Sequence, residues 1–221
     1  MTIHLIAQGL LWYCCLLFSL CVHEAAHAAM AFRCGDPSAK FLGRMTLNPL
    51  AHIDPIGTVA LPVLMIFWRF PYLVGWAKPV PFNPRNLKDM RRDPVFIALA
   101  GPGSNLSIIV LFTIILRVGV ELGLTPELAL TRVLASLIMI NMVLMAFNMI
   151  PVPPLDGHHV LYFFLPPGGK RVLEQIGPFG IVIAILVARP WLSLVVVKLV
   201  TGINALFPGN FFLEALRMAA R

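Results

Sequence analysis

From Leu5 to Val22 the chain carries no charged residue, and a run of that length reads as the first part of a bilayer-spanning helix. No other feature constrains the fold as strongly, because backbone at membrane depth must satisfy its own polar groups. The rest of the chain agrees: 59% of residues are hydrophobic and 12% charged, against about a quarter charged in soluble domains. A water-soluble fold could not cover that much apolar surface. The length, 221 residues, predicts one compact domain of about five or six helices, with no room for a separate regulatory module of ordinary size.

The formal charge of +7 raises nucleic acid as a partner. The basic residues are interspersed with apolar segments and form no aromatic-interleaved reading surface, so no nucleic acid is expected and lipid headgroups of the bilayer are the counterpart. Cys14, Cys15, Cys21 and Cys34 contain no CxxC pair and read as packing residues. The N-terminus does not read as a removable signal peptide, since cleavage would fall within or beside the histidine motif described below.

The expected architecture is an all-α polytopic membrane protein, a single domain over 1–221, with about five transmembrane helices. The first helix covers 3–33 and is halted by Gly35, Asp36 and Pro37. Residues 38–55 change character: Phe41, Met45, Leu47, Leu50 and Ile53 are separated by small, polar or turn residues, which predicts a short β-hairpin. Residues 56–74 are apolar except for Arg69 and are interrupted by Pro62 and Pro71; a re-entrant segment fits them better than a full span. Further transmembrane helices are expected over 95–120, 132–150, 172–188 and 191–207, with Pro151, Pro153 and Pro154 ending the second of these and Arg189-Pro190 separating the last two.

Lysine and arginine then set the orientation. With 56–74 re-entrant, Arg33, Lys40, Arg44, Lys78, Arg85, Lys88, Arg91, Arg92, Lys170, Arg171, Arg217 and Arg221 flank the inner face, and Arg117, Arg132 and Arg189 the outer. This places the N-terminus outside, the C-terminus in the cytosol, and His27 about 9 Å of helix from Arg33.

Within the first helix lies His23-Glu24-Ala25-Ala26-His27. Residues four apart on a helix are separated by about 40° and about 6 Å, so both imidazoles can reach one metal, and Glu24 is the natural general base of such a motif. Catalytic zinc usually takes three protein ligands and one water. His4, His52, His158 and His159 are available, as are the few carboxylates near the membrane. Asp156 stands out because it follows a helix ending at the depth of His23 and His27, where an unpartnered carboxylate would be costly.

The H-E-x-x-H motif, Gly101-Pro102-Gly103-Ser104-Asn105 at the start of a middle helix, and the stretch from Asn148 to Gly157 ending in Leu-Asp-Gly together resemble the site-2 protease family of intramembrane zinc metalloproteases. The resemblance covers most of the chain. It implies that one Zn2+ per chain is held by His23, His27 and Asp156, that Glu24 is the catalytic acid/base, and that Asn148 with the proline-rich turn holds an unwound substrate backbone. It also implies that the hairpin is membrane-embedded and pairs with substrate by strand addition. The absence of a PDZ insertion, with Leu47 to Pro55 and Gly75 to Pro81, is similar to the minimal-core branch. The implied activity is hydrolysis of peptide bonds within or near transmembrane segments of single-span membrane proteins, in a prokaryotic plasma membrane, with the active site near the cytosolic side. Nothing in the residues selects among substrates or decides for or against a homo-oligomer.

Blander readings stand beside these. His23 and His27 as two core histidines would not explain Glu24 between them. Asn148 could simply cap a helix end, and Asn105 fits a cap or a cross-link between helices better than a substrate contact. His52 and Asp54 fit a structural turn or a gate, with the turn favoured; His158 or His159 could bond a ligand from behind or merely mark a helix end. Lys198 reads as a snorkelling side chain. An inactive relative that binds membrane proteins would need a broken metal site, and a metal or ion transporter would not require Glu24.

Overall fold

The computed structural model describes the fold of residues 3–68 and 75–219. In chain order it comprises α1 (Ile3–Arg33), α2 (Ser38–Phe41), a π-helical turn (Pro55–Ala60) running into α3 (Leu61–Phe67), α4 (Asp93–Glu121), α5 (Ala129–Asn148), α6 (Gly157–Phe164), α7 (Pro167–Ile176), α8 (Gly180–Asn204) and α9 (Phe211–Ala219), with short 3-10 turns at Pro49–Ala51, Pro84–Asn86 and Gly177–Phe179. Among the described residues four helices are long and apolar enough to cross a membrane: Ile6–Arg33, Asp93–Glu121, Ala129–Asn148 and Val182–Asn204. The chain is an integral membrane protein.

α1, α4 and α5 pack against one another, and α5 in turn carries α8 and α9. The main core lies there: Ile109 and Leu116 of α4 and Leu134, Ile138 and Met142 of α5 pack with Val196 of α8 and Phe211 and Phe212 of α9. A second cluster joins Cys15, Leu16 and Leu20 of α1 to Leu137 and Ile140 of α5. Exposed apolar side chains such as Leu111, Ile114, Ile185 and Leu186 lie on the outer faces, as lipid-facing residues do.

Two expectations are corrected here. No strand occurs among the described residues, so the hairpin predicted over 38–55 is replaced by α2, a 3-10 turn and the start of the π-helical turn. Asn48 and Asp54 each precede a proline and act as helix N-caps: Asn48 Oδ1 accepts from the Leu50 amide at 3.1 Å and Asp54 Oδ1 from Ile56 and Gly57 at 3.0 and 2.7 Å. The second correction concerns span number. The predicted helices 172–188 and 191–207 are instead α7, too short to span, and one continuous α8 with Pro190 inside it. Proline removes one helical hydrogen bond, which a long apolar helix tolerates.

Among the described residues, the two ends of the chain come together. The carbonyl of Ala219, at the end of α9, accepts from Gln8 Nε2 at 2.9 Å and Trp12 Nε1 at 3.0 Å, at the opposite end of α1 from Arg33. Arg217, expected to flank the same face as Arg33, lies in α9 (Phe211–Ala219), which this contact sets against the N-terminal end of α1.

Between α1 and α4 the chain leaves and re-enters at one end of α1. Lys88 N–H bonds the Cys34 carbonyl at 3.0 Å, and Asn83 N–H and Asn86 Nδ2 bond the Asp36 carboxylate at 2.7 and 2.8 Å. In between, Tyr13 donates to the Thr58 carbonyl at 2.9 Å and Ile66 lies against Gly9, so the excursion runs alongside α1 toward its N-terminal end. Residues 69–74 of the expected re-entrant segment lie outside the described residues.

Candidate metal centre

His23 and His27 lie one turn apart on the face of α1 that meets α4, both buried, with ring centroids 4.6 Å apart and edge to face. The approach of α4 depends on Gly101. A Cβ there would overlap His27 Nε2 and lie 2.6 Å from His23 Nε2. α4 also supplies a partner to the far nitrogen of each ring: His27 Nδ1 is 2.7 Å from the Ile97 carbonyl and His23 Nδ1 2.7 Å from Asn105 Oδ1. Asn105 therefore cross-links helices rather than lining the cavity.

Asp156 reaches the same point from the loop between α5 and α6. The loop folds back on itself through Val152 N–H to Ile150 O at 2.8 Å and Leu155 N–H to Val152 O at 3.0 Å, includes a cis Pro153-Pro154 bond, and is anchored by Ile150 and Leu155 packing on Ala184 of α8. Gly157 is required because a Cβ would sit 2.7 Å from the Ile150 carbonyl oxygen. In this position Asp156 Oδ2 lies 3.3 Å from His23 Nε2 and 3.4 Å from His27 Nε2, and the two Nε2 atoms are 3.0 Å apart.

These three atoms fit a zinc ion. Bonds of about 2.0–2.2 Å in tetrahedral coordination put ligand atoms about 3.3–3.6 Å apart, close to the edges of this triangle. Among the described residues His23, His27 and Asp156 form a group of metal-ligating type, and its two imidazoles and one carboxylate are the donor chemistry zinc takes. Asp156 Oδ2 is moreover buried with no hydrogen-bond donor of acceptable geometry, an arrangement that a cation resolves.

Glu24, next to His23, points into a cavity of about 220 Å³ lined also by His23, His27, Asp156, Asn148, Pro154, Val80, Phe82 and His159. Its Oε2 accepts from the Val80 N–H at 3.2 Å. Val80 belongs to an irregular stretch, 75–83, four of whose amides are tied to different elements: Trp76 to Gly57 O at 3.3 Å, Lys78 to His52 O at 2.9 Å, Val80 to Glu24, and Asn83 to Asp36.

Of the residues singled out from sequence, His23, Glu24, His27 and Asp156 share this cavity, as does Asn148. Asn148 turns one N–H back onto the Leu144 carbonyl at 3.1 Å. His52 is buried and bonds the Thr46 carbonyl at 2.8 Å, and Asp54 caps the π-helical turn, so both serve turns. His158 Nδ1 is 2.6 Å from the Leu155 carbonyl. His159 faces the cavity beside Phe82, with burial, then the neighbouring His158, holding its imidazole down at about 4. The side chain of His4 lies outside the described residues. Sequence reasoning named Gly101 only as part of a motif, without its place against the histidines, and passed over the Val80 amide and Asn141, which bonds Asn105 at 2.8 Å. Only Asn141 carried a signal, as an amide in the middle of an apolar helix.

Comparison with known proteins adds to this geometry. The model of Peptidase family M50 matches residues 117–188, a range that contains Asp156 but not the histidine motif. The chain is 37% identical over 172 residues to the candidate zinc metalloprotease YwhC of Bacillus subtilis strain 168, covering 76% of this chain and 75% of that one. It is 30% identical over 184 residues to the candidate zinc metalloprotease Rip2 of Mycolicibacterium smegmatis, covering 80% and 66% respectively, and 31% identical over 179 residues to Rip2 of Mycobacterium tuberculosis strain H37Rv, again 80% and 66%. The chain thus spans just under two thirds of the Rip2 proteins. No solved structure matches it significantly.

Proposed function

The chain belongs to peptidase family M50, the site-2 protease family, and from that premise we propose that it is an intramembrane zinc metalloprotease cutting peptide bonds within or near the membrane spans of single-span proteins. The observation that carries the reading is the convergence of His23 Nε2, His27 Nε2 and Asp156 Oδ2 beside the Glu24 carboxylate at the foot of a cavity. Zinc on these donors would act as a Lewis acid, polarising a carbonyl and acidifying water near neutral pH.

Glu24 takes a proton from the attacking water and passes it to the leaving amine. Its Oε2 is held by Val80, so Oε1 is the oxygen assigned to the proton. Asn148 and Pro154, which line the same cavity as Glu24, bind the substrate backbone once it has unwound, since a peptide bond inside a helix is shielded by its own neighbours. The concentration of lysine and arginine at the Arg33 end supports placing that end, and the site near it, on the cytosolic side.

Glu24→Gln is the decisive variant. Cleavage of a tethered transmembrane substrate in proteoliposomes is expected to fall by about 10²–10⁴-fold while bound zinc, measured by elemental analysis, stays at the wild-type level. Cleavage at the wild-type rate would remove Glu24 from the mechanism.

A further inference from the structure

The two Nε2 atoms of His23 and His27 are close enough, at 3.0 Å, to hydrogen-bond one another. If His23 carried its proton on Nε2, it would donate to His27 and both imidazoles would be lost as ligands. A chain of amides running away from the site decides against this arrangement.

The chain begins at a fixed acceptor. Asn141 Nδ2 lies 2.8 Å from the Leu137 carbonyl and 2.8 Å from Ser19 Oγ. A carbonyl oxygen can only accept, so the nitrogen of Asn141 must face it. Ser19 agrees, because its hydroxyl is spent donating to the Cys15 carbonyl at 2.8 Å and is left to accept from Asn141. The Asn141 amide is therefore locked, with Oδ1 pointing at Asn105 Nδ2, 2.8 Å away. That fixes the second amide in turn: Asn105 Nδ2 donates to Asn141, and Asn105 Oδ1 faces His23 Nδ1 at 2.7 Å.

An oxygen at that position requires a hydrogen on His23 Nδ1. In the neutral imidazole Nε2 is then bare. His27 reaches the same state by a shorter route, since its Nδ1 faces the Ile97 carbonyl directly. Ser19, Asn105 and Asn141 are fully buried, so no water competes for these orientations.

We propose that Asn141 is a positioning residue which, acting through Asn105, holds His23 in its Nδ1–H tautomer and keeps both Nε2 lone pairs aimed at the point between His23, His27 and Asp156. The relay ties α1, α4 and α5 together and sets the ligand polarity from a residue two side chains away from the metal. It rests on the zinc reading above, and its test separates the two.

Zinc-free protein labelled with 15N-histidine, in detergent micelles at pH 8, reports the His23 tautomer by long-range 1H–15N correlation. Zinc affinity is measured in parallel against a chelator of known strength. Wild-type His23 is expected as Nδ1–H. Asn141→Leu leaves the Asn105 amide free to turn its NH2 toward His23, so an Nε2–H population should appear and zinc affinity should weaken by about 10–100-fold. Asn105→Leu should weaken it comparably, and Asn105→Leu/Asn141→Leu no further than Asn105→Leu alone, because Asn141 acts only through Asn105. Finding wild-type His23 as Nε2–H overturns the relay whether or not the variants fold, as does an Asn141→Leu protein with unchanged zinc affinity or a double variant with additive losses. A wild-type protein showing Nδ1–H but binding no zinc would instead defeat the zinc reading and leave the relay standing.

Discussion

A methyl group added at Gly101 would overlap His27 Nε2 and crowd the His23 ring. Alanine is otherwise favoured over glycine in a helix interior by about 0.5–1 kcal/mol, while overpacking a buried contact costs about 1–3 kcal/mol, so the overlap wins. Gly101→Ala is expected to reduce the zinc content of the purified protein and, by displacing the imidazoles, to slow cleavage by about 10²-fold. Gly103→Ala, where a Cβ would meet nothing within 4 Å, should melt at or above the wild-type temperature and keep its zinc. Equal metal content in the two variants would show that the close approach of α4 is dispensable. The sequence placed both glycines in one motif and could not distinguish them, because which glycine faces α1 is a matter of helix rotation. That His23, Glu24, His27 and Asp156 could share one cavity was legible for other reasons: the first three by their spacing on one helix, Asp156 because an unpartnered carboxylate at membrane depth is costly.

At the scale of elements, the junction after α1 hangs on one carboxylate. Asp36 is fully buried and accepts from Ser38 N and Oγ at 3.1 and 2.6 Å, Asn86 Nδ2 at 2.8 Å and Asn83 N at 2.7 Å. Burial pushes the carboxyl up, but the hydrogen bonds from Ser38, Asn86 and Asn83 outweigh it and hold it below the ordinary aspartate value. A depressed carboxyl contributes stability that is complete above the unfolded value of about 3.9 and is lost as pH falls through the lower folded value. Thermal unfolding in detergent should therefore show an acid-side loss below about pH 4 that is smaller in Asp36→Ala, which should itself be less stable at neutral pH by about 1–3 kcal/mol. Identical pH profiles would mean that Asp36 does not carry the junction. The sequence misled in the neighbouring stretch. Phe41, Met45, Leu47, Leu50 and Ile53, separated by small, polar or turn residues, suggested a short hairpin, yet Phe41, Leu47 and Leu50 stand 82%, 65% and 75% exposed, on α2, a bend and a 3-10 turn. The Asn-Pro and Asp-Pro pairs that bound those turns start helical segments, and no sheet face lies between them.

Across the whole molecule, the span count decides where the ends go. Reading Arg189-Pro190 as a turn made five crossings; with α8 unbroken the described residues offer four candidate spans, and the Ala219 carbonyl sits on Gln8 and Trp12. Tags fused to the two termini should be digested together, from the same side, in oriented membrane vesicles, whereas a tag inserted at Lys170, between α6 and α8, should be reached only from the other. Opposite protection of the two termini would restore a fifth crossing. Periodicity and hydropathy could not have settled this point, since a proline within a long apolar run is compatible with either outcome. The same architecture also puts the assembly of the site on a clock. His27 and Asp156 are separated by roughly 130 residues, which a ribosome adding about 5–20 residues per second takes about 6–25 s to supply. Through that interval α1 stands in the bilayer with two imidazoles and no carboxylate to join them, so the three donor atoms come together only after α4, α5 and the loop beyond have been inserted.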